Sequence, residues 1–70
     1  MNRLDLYEYR KFLKGRIAEL IAEMEEFMEM GAEVLAKESE IELDEMEERL
    51  MQIEAEIVFR ERRRFLEATI

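Results

Sequence analysis

The stretch FMEMGAEVLAKESEIEL, Phe27 to Leu43, decides how this chain folds. It lies between two apolar series that do not share a phase, and it offers two places to turn. The first series runs Leu6, Tyr9, Leu13, Ile17, Leu20, Met24, Phe27, Gly31 and Val34, in steps of three and four. Ile21, Met28 and Leu35 widen it on one side. Such spacing predicts an amphipathic helix with a broad apolar face. The second series is Leu43, Met46, Leu50, Ile53 and Ile57. Carrying the first seam forward would instead fall on Glu38, Ile41, Glu45, Glu48 and Gln52, which are mostly polar. One unbroken coiled-coil helix is therefore not expected, and the phase must reset between Leu35 and Leu43.

Ser39 with Glu42 three residues later has the pattern of a capping box, which satisfies orphan amides at a helix start. We place the turn there, at about residues 37–40. Gly31 is the rival, as a helix C-terminal cap; on the core face it could instead permit close helix approach. At the start, Asn2 and Asp5 resemble an N-cap with an acid on the third helical position. The expected fold is all-α: two long antiparallel helices, 3–36 and 40–68, forming a single helical-hairpin domain over residues 1–70. Two such helices cannot cover both apolar stripes against each other. A chain of 70 residues with no Cys and no His also has no disulfide or Cys/His zinc site to reinforce a small core. Pairing into a homodimer, a four-helix bundle, is the simplest completion.

Composition agrees with helix throughout. There is no Pro, there are two Gly, and 43% of residues are charged. Asn, Gln, Ser and Thr occur once each, a scarcity that suits a thermophilic or a designed protein. No apolar run is long enough to span a membrane and no signal peptide is visible, so the chain reads as soluble and cytoplasmic.

The net charge of −8 is unevenly laid out. Residues 17–59 hold 15 acids and two bases, while residues 1–16 and 60–70 together hold nine bases and four acids. A hairpin would bring the two basic ends together and make one end of the rod basic. Two hairpins would then favour antiparallel pairing, basic end against acidic body.

A second apolar line, Ala55, Phe59, Leu66 and Ile70, falls away from the Leu50–Ile57 stripe. With Met30, Met51 and Phe12 these are the candidate interface residues; Met24 and Met46 read as gap-filling core. Ala18, Ala22 and Ala36 fall on the back of the first helix. Arg10, Lys14, Glu61 and Arg64 fall at or near the apolar faces and are expected roughly level. They suggest a polar layer that fixes register, or an anion site.

These features point to a non-enzymatic interaction protein: an adaptor, assembly factor or small regulator acting through protein–protein contacts. No catalytic motif is present, and no metal or cofactor is expected. The alternative is an acidic inhibitor that mimics nucleic acid or acts as an antitoxin by binding a basic protein. The outline is also similar to small dimeric hairpins of the Rop type, which bind RNA, although no residue-level match accompanies it. Phosphate would be repelled by the acidic body within a Debye length of about 8 Å, which weighs against nucleic acid.

Overall fold

The computed structural model describes the backbone of residues 4–69 and the side chains of residues 6–68. Helix α1 spans Leu4–Glu29 and helix α2 spans Glu33–Thr69. They pack against each other as an antiparallel hairpin with extents of 59 × 17 × 16 Å. Among the described residues there is no strand, and no helix is long and apolar enough to cross a membrane. The N-cap expected at Asn2 lies outside the described residues.

The turn is at Met30–Ala32, not at residues 37–40. Gly31 takes φ 74°, the left-handed conformation that a Cβ penalises and glycine tolerates. The surrounding bonds form a Schellman cap. The Ala32 amide donates to the Phe27 carbonyl at 2.8 Å, and the Gly31 amide donates to the Met28 carbonyl at 3.1 Å. The Ala36 amide then donates to the Ala32 carbonyl at 3.0 Å, the first bond of α2.

Ser39 is not a cap. It lies inside α2 and is buried between the helices. So is Ala36, which belongs to α2 rather than to the back of the first helix. The inward seam of α2 is Ala36, Ser39, Leu43, Met46, Leu50, Ile53 and Ile57, a regular three–four alternation of buried or half-buried positions. Its first two members are small, and one is polar, so an apolar count begins the seam late, at Leu43. Gly31 and Val34, members of the first series by spacing, lie outside the seam. Gly31 is exposed in the turn and Val34 is 74% exposed.

On α1 the inward residues are Leu6, Tyr9, Leu13, Leu20, Met24 and Phe27, with Leu13 and Leu20 fully buried. Moving the turn makes the helices unequal, with 26 residues in α1 and 37 in α2. At 1.5 Å per residue these span about 39 and 55 Å. The register moves with the turn. Lys14, expected level with Arg64, instead meets Glu54.

Candidate interaction surface

Cross-helix polar contacts divide the hairpin into two broad faces. On one, Arg16 of α1 reaches α2 and donates from Nη2 to both Glu42 carboxylate oxygens at 3.2 Å. Its Nη1 meets Glu19 at 3.1 Å and Glu23 at 3.7 Å. These contacts favour the charged guanidinium; hydrogen bonds to Glu19 and then Glu42 raise the Arg16 pKa above its ordinary value. This face is polar, one guanidinium being shared among three carboxylates.

Lys14 lies two residues earlier, about 200° around the helix, and marks the other face. Its Nζ sits 3.8 Å from Glu54, and one heptad away the Tyr7 hydroxyl donates to Glu61 at 2.9 Å. The Tyr7 pKa is raised, first by that hydrogen bond, then by desolvation and by the negative charge of Glu61; Arg64 and Arg10 oppose the shift. The Arg10 guanidinium stands over the Tyr7 ring at 5.5 Å, within cation–π range.

Seven-residue steps from these markers run along the same face, since a helix drifts only ~20° per heptad. On α1 the line is Tyr7, Lys14, Ile21 and Met28. On α2, Glu40, Glu47, Glu54 and Glu61 form one line, and Met51, Val58 and Phe65 form another just outside it. All five of these large apolar side chains, Ile21 and Met28 included, are exposed. The face combines an unburied apolar surface with a row of carboxylates. Glu54 and Glu61 in that row are engaged; Glu40 and Glu47 form no ion pair among the described residues.

The interface candidates from sequence do not form one surface. Met51 lies on the apolar face, whereas Phe12 lies on the Arg16 side of α1, beside the dent left by Gly15. Met30 is in the turn, and Phe59 and Leu66 project from the back of α2, although all five are exposed. Ile70 lies outside the described residues. The core assignment for methionine places Met24 and Met46 at half-buried positions. The polar-layer residues separate likewise. Arg10, Glu61 and Arg64 gather around Tyr7, while Lys14 pairs with Glu54 a heptad away. Tyr7 is the member that sequence reading passed over. Its place in the 7–14–21–28 line was the available signal.

At the open end a groove of about 370 Å³ is lined by Tyr7, Ile57, Arg60, Glu61 and Arg64, among others. Its lining mixes apolar, acidic and basic side chains. Arg60 binds Glu56 at 2.9 Å and Arg63 binds Glu67 at 3.2 Å, each one turn away on α2. Two of the four terminal arginines are thus partnered within their own helix. Among the described residues no group of three or more acidic side chains is disposed to hold a metal ion. No family model matches the chain, and no curated protein and no solved structure matches it either.

Proposed function

We propose that this chain is a non-catalytic interaction protein that works as a self-associated helical bundle, two hairpins forming a four-helix core. One observation carries the reading. Among the described residues, thirteen large hydrophobic side chains are exposed, against five buried hydrophobic residues. A solitary hairpin burying so little is a poor folding unit, and apolar exposure on this scale marks an association surface. Pairing would bury the excess and supply the missing core. In that form the protein would act as an adaptor, assembly factor or small regulator, presenting its charged outer faces to other proteins.

The test is the solution mass. Sedimentation equilibrium or light scattering should give twice the 8.5 kDa of the chain at micromolar concentration. A mass of one chain at every concentration up to millimolar overturns the proposal.

A further inference from the structure

We infer that the second copy docks on the Ile21–Met28–Met51–Val58–Phe65 face in antiparallel orientation, the open end of each hairpin over the turn end of the other. This rests on the self-association proposed above and specifies its surface and direction. The polar face is ill suited to burial, because Arg16 and its three carboxylates would all have to be desolvated. The apolar face instead carries five exposed large apolar side chains beside its carboxylate row. Ile21 and Met28 supply its turn half, and Met51, Val58 and Phe65 supply its open half. Face-to-face stacking therefore sets apolar against apolar along the rod.

Charge chooses the direction. Residues 17–48, which form the turn half, hold 13 acids and a single base, Lys37. The open half, residues 1–16 and 49–70, holds ten bases and six acids. Parallel stacking would press two acidic halves together. Antiparallel stacking brings the partner's basic half over Glu40 and Glu47, the two members of the carboxylate row with neither an ion pair nor a cross-helix hydrogen bond among the described residues. Arg10 and Arg62 are the complementary groups. Arg10 is held beside Tyr7 on the apolar face, and Arg62 lies one turn beyond Val58.

Two neighbouring substitutions test the face. Val58 and Phe59 are similarly exposed, 53% and 61%, but point about 100° apart. Val58→Glu should reduce the dimer to one chain at micromolar concentration, whereas Phe59→Glu should leave the mass doubled. Circular dichroism checks that both variants stay helical. A dimer that survives Val58→Glu, or is broken by Phe59→Glu alone, overturns the face while self-association stands.

Direction is tested separately on the full chain carrying Lys37→Cys, the only thiol, labelled with a nitroxide. The helical rise puts the two labels roughly 45 Å apart or more in an antiparallel dimer and within about 25 Å in a parallel one. A short distance overturns the orientation. Glu47→Lys should weaken dimerisation at least tenfold at low salt and much less in 0.5 M salt, where such interactions are screened. No weakening at low salt also overturns it. A chain that is monomeric throughout overturns this inference and the self-association reading together.

Discussion

Replacing each glycine by alanine should have opposite effects at the two positions, and the contrast tests the placement of the turn. Gly31 holds φ 74° with no atom within 4 Å of the place a Cβ would occupy. The penalty of Gly31→Ala is therefore conformational rather than steric crowding by neighbours. The left-handed region costs a residue with a Cβ about 1–2 kcal/mol. Gly15 has the same open space but sits in the interior of α1. There alanine is the better helix former by about 1 kcal/mol. Thermal unfolding at a fixed chain concentration should show Gly31→Ala melting below the parent and Gly15→Ala above it. At roughly 4–8 °C per kcal/mol for a domain of this size, the two variants should differ by some 10 °C or more. Ser39→Ala completes the set. As a cap, Ser39 would lose about 1 kcal/mol; as a buried mid-helix residue it should lose little or gain, since alanine favours helix and leaves no hydroxyl to satisfy. The reasoning is refuted if Ser39→Ala is the most destabilising of the three and Gly31→Ala is neutral.

Two other expectations concern the core and the Tyr7 contact. Leu20→Ala should cost about 2–5 kcal/mol in urea unfolding, because Leu20 is fully buried. Phe12→Ala, exposed and on the Arg16 side of α1, should cost less than Leu20→Ala; equal losses would mean that α1 is rotated from the orientation described. The raised Tyr7 pKa fixes a sign at high pH. Its folded-state value lies above the ordinary 10.0, so the contribution of Tyr7 is fully present below pH 10 and is lost as the pH rises through the folded-state pKa. Unfolding of the parent and of Tyr7→Phe, compared from pH 8 to 11, should show a constant difference that shrinks above pH 10. A difference that widens there contradicts the Tyr7–Glu61 hydrogen bond.

Why α1 was legible and the turn was not comes down to which side chains fill the seam. Leu6, Leu13, Leu20 and Phe27 are large, and their spacing points to one face of one helix. The α2 seam begins with Ala36 and Ser39, which carry little apolar signal. Close to a tight turn, small residues suit helices that have barely diverged, and there an apolar count is least informative. Ser39 compounds the difficulty, since Ser followed by Glu three residues on matches a capping box by composition alone. What separates the two readings is backbone geometry. A cap needs the chain to leave the helix, and only Gly31 can do so in the left-handed conformation without a Cβ penalty.

The same shift of about seven residues changes what the charges do. With the turn at 37–40, Arg10 and Lys14 would stand beside Arg62 to Arg64, an electropositive end suited to an anion. With the turn at Gly31, Lys14 stands by Glu54, Tyr7 by Glu61, and Arg16 by Glu42. Basic residues of α1 then find acids on α2, and excess negative charge gathers toward the turn. An exposed ion pair adds little stability by itself, but a row of carboxylates unmatched at one end of the rod discriminates between arrangements. Placing that end beside another acidic end is costly. Placing it beside the basic half of a second copy relieves the repulsion while the apolar face is covered. On the proposed pairing, self-association and charge segregation are two aspects of one surface, and the direction of pairing would follow from the position of a single glycine.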